Sequence, residues 1–106
     1  MQDLERIEYY IEVVCRTYKV KRVDLVSKSR VREIVTPRHM VWYLIRTYTN
    51  ITLRQICNVF NKDHASVLHG VKMIETLKVY DDINQNLNKI LETIRSEKVC
   101  IITQTT

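Results

Sequence analysis

Eleven consecutive residues near the middle of the chain hold many of the side chains suited to recognising another molecule: Lys62-Asp63-His64-Ala65-Ser66-Val67-Leu68-His69-Gly70-Val71-Lys72. Serine and histidine donate and accept hydrogen bonds, alanine presents a bare methyl, and lysine reaches for anions. That set suits base edges and phosphates in a duplex groove. It suits metal chemistry poorly, because His64 and His69 are five apart rather than four, and no carboxylate lies between them. A nucleophile pair of Cys57 with either histidine would need an open pocket, whereas Cys57 falls on an apolar helix face. No catalytic residue, metal or cofactor is expected, and the chain reads as a binding protein rather than an enzyme.

A second group lies upstream. The run Ser27-Lys28-Ser29-Arg30-Val31-Arg32 interleaves small hydroxyls with cations, the pattern of an arm that contacts phosphate or reaches into a groove. Arg38 and His39 follow Thr36-Pro37, a strong helix start with threonine as cap and proline in the first helical position. Both therefore belong to a first turn, where backbone N–H groups also point at a bound anion. The competing reading is a mobile loop and the solvated face of an ordinary helical hairpin.

Two helices must position the central group. Leu53, Ile56, Val59 and Phe60 recur at spacings of three and four behind Thr52, a capping residue. Asn61-Lys62 breaks that period, and Asp63 stands where a second N-cap is expected, its carboxylate facing the positive helix end. Beyond it Val67, Val71, Ile74 and Leu77 share one face, while Lys62, Ala65, Ser66, His69, Lys72 and Met73 share the other. This is a helix-turn-helix pattern, in which the start of the second helix meets the partner.

The rest of the chain supplies scaffold. A first helix over residues 3–18 buries Leu4, Ile7, Ile11 and Val14, and one helical turn forms around Val23, Leu25 and Val26. A central helix from Thr36 to Thr49-Asn50 buries Met40, Val41, Leu44, Ile45 and Tyr48, with Trp42 and Tyr43 as core or rim packing. A last helix over 80–97 carries Ile83, Leu87, Ile90, Leu91 and Ile94, to pack on Ile7 and Ile11. One glycine and one proline in 106 residues favour regular helices with short connections. One domain over 1–98 and a tail over 99–106, disordered or paired with a neighbour, complete the expected organisation.

Charge is unevenly spread. Residues 1–18 hold two basic and four acidic side chains, 19–78 twelve and four, and 79–106 three and four, so the net +5 conceals a centre of +8. That is the footprint of a polyanion-binding centre between acidic flanks. Cys15, Cys57 and Cys100 are odd in number and widely spaced, and Cys15 and Cys57 read as small core residues in a reducing compartment. With no signal peptide and no run near the ~20 apolar residues of a membrane span, a cytoplasmic protein is expected, with no membrane partner.

The segment from Asp63 to His69, with Lys72, Ile74, Glu75 and Leu77, resembles the signature of the C-terminal DNA-binding domain of DnaA, the bacterial chromosomal replication initiator. That pattern is a Gly-Gly-Arg turn, then Asp-His-Thr-Thr-Val-x-His-Ala, then Lys-Ile and Leu. Upstream, Leu25-Val26-Ser27-Lys28-Ser29-Arg30 and Pro37-Arg38-His39-Met40 match the family's Leu-x-Ser-Lys-x-Arg and Pro-Arg-Gln-x blocks, with Leu44 and Thr49-Asn50 in step. The resemblance implies an all-α, compact helical domain of the DnaA C-terminal or Trp-repressor-like type. It implies binding of double-stranded DNA at a site like the family's TTATCCACA box, in replication initiation or its regulation. By resemblance Ala65, Ser66 and His69 face bases beside Asp63, His64 and Leu68, and Arg30 enters the adjacent minor groove, favouring AT-rich DNA. Arg38 and His39 match an Arg and a Gln that contact the backbone, the histidine making its charge depend on pH. The same reading has Lys28, Arg32, Lys62 and Lys72 holding phosphate, and Arg46 and Arg54, which stand where the family has a Lys and a Pro, as further backbone contacts.

This chain departs from the pattern at three places. Asn61-Lys62 replaces the Gly-Gly-Arg turn and is one residue shorter, so asparagine must take the left-handed conformation. Ala65 keeps a methyl but lacks the hydroxyl of the first threonine, and Gly70 replaces the usual alanine. With a single glycine the chain holds no Gly-x-x-x-x-Gly-Lys loop, so it binds no nucleotide through one. Met1 and the unmatched tail favour a complete, stand-alone box reader. The alternatives are a phage or mobile-element regulator reading another site, favoured by Ala65 and the short turn, and a module whose acidic outer helices bind other replication proteins.

Overall fold

The computed structural model describes residues 3–105, with side chains to Glu97. Six helices follow in order: α1 Asp3–Tyr18, α2 Arg22–Leu25, α3 Arg32–Tyr48, α4 Leu53–Phe60, α5 His64–Leu77 and α6 Asp81–Thr105. Among the described residues there is no strand. The buried stripe of α3 is the centre of the core and packs against both α5 and α1; α4 packs on α5, and α6 packs on α1 and α5.

The local signals act as their chemistry dictates. Thr52 accepts the Gln55 N–H at 3.2 Å while the Gln55 side chain accepts the Thr52 N–H at 2.9 Å, a reciprocal capping box. Gln55 also donates to Asp3 at 2.9 Å, tying α4 to the start of α1. Asn61 ends α4 at φ 54°, ψ 50°, the left-handed conformation that the missing glycines require, and the Lys62 N–H then reaches the Cys57 carbonyl at 3.1 Å. Asp63 caps α5 by accepting the Ser66 N–H at 2.9 Å. Where α1 meets α6, Glu97 accepts from the Tyr9 hydroxyl and from Arg16 at 3.2 Å. Burial and the Glu97 carboxylate raise the Tyr9 pKa, whereas bonds from Tyr9 and Arg16 hold Glu97 below the usual carboxylate range.

Four expectations need correction. The helix expected from Thr36 begins one turn earlier, at Arg32, with Val31 as an uncapped N-cap whose carbonyl accepts from Ile34 and Val35 at 2.9 Å. Proline at the sixth helical position is tolerated because it forfeits a single intrahelical bond near the helix start. Arg38 and His39 consequently lie in the second turn, away from the free N–H groups of the helix end. Leu4 is 58% exposed and Tyr48 49%, since each continues an apolar stripe past the end of its cover. The last helix continues beyond the expected end at Glu97 to Thr105. The proposed tail, 99–106, and Cys100 fall at residues whose side chains lie outside the described ones.

Candidate nucleic-acid interface

Asp63 starts α5 with its carboxylate on the Ser66 N–H, and hydrogen bonding with Ser66 holds that carboxyl below its usual range. From this fixed start the helix places His64, Ala65, Ser66, Leu68, His69 and Lys72 at the surface, while Val67, Gly70, Val71 and Ile74 go into the core. The separation into two faces is the one the periodicity predicts.

Beneath the exposed face lies an open cleft of about 390 Å³, with walls from three segments. Lys62, Ala65, Ser66 and His69 come from the turn and α5, Arg30 from the loop after α2, and Val35, Arg38, His39 and Trp42 from one stripe of α3. Arg30 and Lys28 are exposed on the loop, and Arg46, Arg54 and Lys72 are exposed outside the cleft. Arg32 lines a different cleft, with Tyr18, Pro37 and Tyr80, so it stands apart from the reading helix. Val35 and Trp42 were not singled out as site residues. The signal that finds them is spacing, since 35, 39 and 42 recur at four and three along α3 and share a face with the predicted His39.

Gly70 shows why α5 sits so close to α3. A Cβ built on it would stand 2.5 Å from Trp42 Cε3 and 2.7 Å from His39 Cδ2, closer than packed carbon atoms approach. The rings it meets form a stack: His39 lies 5.4 Å from Trp42 and 6.1 Å from His69, edge to face with the latter. Trp42 in turn stands edge to face on Phe60 at 5.6 Å, joining the site to α4.

His39 and Arg38 differ from what was expected of them. Burial first, then His69 and Arg38, push the His39 pKa down to about 4, so its ring is neutral at physiological pH. An unfolded His39 takes its proton near 6.5 and the folded one near 4, so the unfolded chain binds more protons across that window and stability falls as the pH drops through it. We predict that His39→Gln flattens the dependence of the urea midpoint between pH 7 and pH 5, above the range where Asp63 and Glu97 titrate. An unchanged slope in the variant would rule His39 out as its source.

Arg38 was expected to hold phosphate, but it is only 4% exposed, and its guanidinium donates to the carbonyls of Leu25, Ser27 and Ser29 at 2.8–2.9 Å. Burial lowers its pKa, and among the described residues it forms no ion pair. With most of its fork committed to backbone carbonyls, the guanidinium is held in the wall of the cleft rather than extended from the surface. Among the described residues no group of three or more His, Cys, Asp or Glu side chains is placed to hold a metal.

Two helices joined by a tight left-handed turn, the second exposed at its start beside a basic loop, define a helix-turn-helix domain. The family model described as the bacterial DnaA protein helix-turn-helix matches residues 7–74, and the chain belongs to that family. It is 40% identical over 81 residues to the chromosomal replication initiator protein DnaA of Limosilactobacillus reuteri (strain DSM 20016), covering 74% of this chain and 18% of that protein. The protein of the same name from Methylacidiphilum infernorum (isolate V4) is 37% identical over 94 residues, covering 87% of this chain and 21% of its own length. The chain thus spans about a fifth of the length of the curated relatives it matches.

Proposed function

We propose that this chain binds double-stranded DNA at a DnaA-box-like sequence and serves chromosome replication initiation or its regulation. The observation that carries this reading is the convergence of Arg30, Lys62, Ser66 and His69 on one cleft, although they come from separate parts of the chain. The start of α5 enters the major groove, where Ala65, Ser66 and His69 meet base edges, and Arg30 reaches the neighbouring minor groove. Lys28, Lys62, Lys72, Arg46 and Arg54, all on the strongly basic central part of the chain, hold phosphates. His64 and Leu68 border the contact, and Asp63 fixes the helix start that presents it.

In this reading the domain extends over residues 1–98 and acts by binding, with no reaction or cofactor of its own, in the cytoplasm at the nucleoid. Other replication proteins meet it through surfaces the DNA leaves free. Among the described residues no helix is long and apolar enough to cross a membrane.

The test is a titration of the chain against a duplex holding TTATCCACA and a scrambled duplex at two salt concentrations. A preference of about 10³ or more, with both curves weakening in salt, is expected. Equal binding to the two duplexes would overturn the sequence-specific reading.

A further inference from the structure

We infer that Arg38 is a positioning residue, whose buried guanidinium sets the conformation of the 27–31 loop and thereby aims Arg30 at DNA. The inference rests on the function proposed above, and its test separates the two.

The loop is bonded from both sides. Arg38 gathers carbonyls from the loop and from α2 before it: Nη1 donates to Ser29 O at 2.9 Å and Nη2 to Ser27 O at 2.9 Å, while Nε donates to Leu25 O at 2.8 Å, with Asp24 O at the limit of reach, 3.5 Å. Two of the loop's donors go to its own serines: the Ser29 N–H bonds the Ser27 hydroxyl at 3.1 Å, and the Val31 N–H bonds the Ser29 hydroxyl at 3.2 Å. The alternation is regular. Ser27 and Ser29 turn their carbonyls to the buried cation and are half-buried, while Lys28 and Arg30 between and beyond them are exposed. One side chain on a core helix thus fixes the loop's register, and with it the direction in which Arg30 leaves the surface.

Two physical arguments make this a functional arrangement. A free loop would lose its backbone freedom on entering a groove, whereas a loop already held surrenders little, so its affinity is preorganised. Only arginine fits the task, because a planar fork with five N–H groups spans several carbonyls, and a lysine ammonium is a single point of donation. Arg30 and Arg38 also line the same cleft, one at its mouth and the other in its wall.

A phosphate contact and a positioning role give different results in a double-mutant cycle on the TTATCCACA duplex. As a positioning residue, Arg38→Lys weakens box binding roughly as much as Arg30→Ala, about tenfold or more, despite keeping the charge. Combining it with Arg30→Ala then adds less than about threefold. Wild-type binding by Arg38→Lys, or losses that multiply in the double variant, would overturn the assignment. Should Arg38→Lys fail to fold, the wild-type chain still decides: backbone order parameters at residues 27–31 near 0.85 without DNA support a preset loop, and values below about 0.6 refute it. A wild-type chain that binds box and scrambled duplex alike would sink the DNA-site reading itself, whereas insensitivity to Arg38→Lys with the box preference intact would sink only the positioning role.

Discussion

Gly70→Ala is expected to destabilise this domain, although alanine is the better helix former. In an exposed helix the exchange gains about 1 kcal/mol. Here the new methyl would stand 2.5 and 2.9 Å from two Trp42 ring carbons and 2.7 Å from His39. Trp42 cannot swing aside, because it is 2% exposed and rests edge to face on Phe60. Forcing a methylene-sized group into such a contact costs about 1–3 kcal/mol, and rigid rings on the receiving side place this case toward the upper end. A net loss of ~1–2 kcal/mol follows, read as a fall in melting temperature of about 4–8 °C for each kcal/mol. A variant that melts at or above the wild-type temperature would show that α5 and α3 yield to each other easily. Where the family pattern carries alanine, this chain pairs glycine with a tryptophan beneath it, which points to an exchange of volume across the two helices. Trp42→Leu together with Gly70→Ala should therefore lose less stability than the two single losses combined.

Local bonds and long-range packing were not equally legible in the sequence. Asp63 as a cap, Thr52 as a cap and Asn61 in the left-handed region are decided by bonds spanning three or four residues, so local chemistry was enough. The two faces of α5 were legible because a 14-residue helix with three deeply buried apolar positions leaves little choice of orientation. The burial of Arg38 was not legible because a cation looks alike whether it meets phosphate or carbonyls, and its acceptors lie 9 to 14 residues back, in α2 and in a loop with no periodic pattern. The Thr36-Pro37 start failed differently. A strong local preference for proline at the first position yielded to α3 beginning at Arg32, which brings Val35 into the cleft wall. Leu4 and Tyr48 show the limit of stripe counting, since periodicity gives the face of a helix but not the length of the surface that covers it. The need for glycine at position 70 was visible only as an anomaly, because the ring it accommodates belongs to another helix.

His69→Ala and Ser66→Ala should each flatten the preference between box and scrambled duplex by ~1–3 kcal/mol, the worth of a base-edge contact. The two side chains are three residues apart on the exposed face of α5, so they present to one groove together. Ser66 has its backbone N–H committed to Asp63, which holds the first turn in place and fixes where its side chain leaves the helix. His69 is braced from below, its ring edge to face with His39, whose neutrality removes a positive charge from beneath the reading surface. The phosphate-facing cations should behave differently. Arg46→Ala, Arg54→Ala or Lys72→Ala should weaken binding to both duplexes nearly equally and lower the salt slope by about one for each phosphate left without its cation. The comparison therefore assigns roles by the form of the loss rather than by its size. If His69→Ala weakened both duplexes by the same factor, His69 would belong with the cations as a positional contact, and recognition would have to rest on Ser66, Ala65 and the shape of the groove that Arg30 enters.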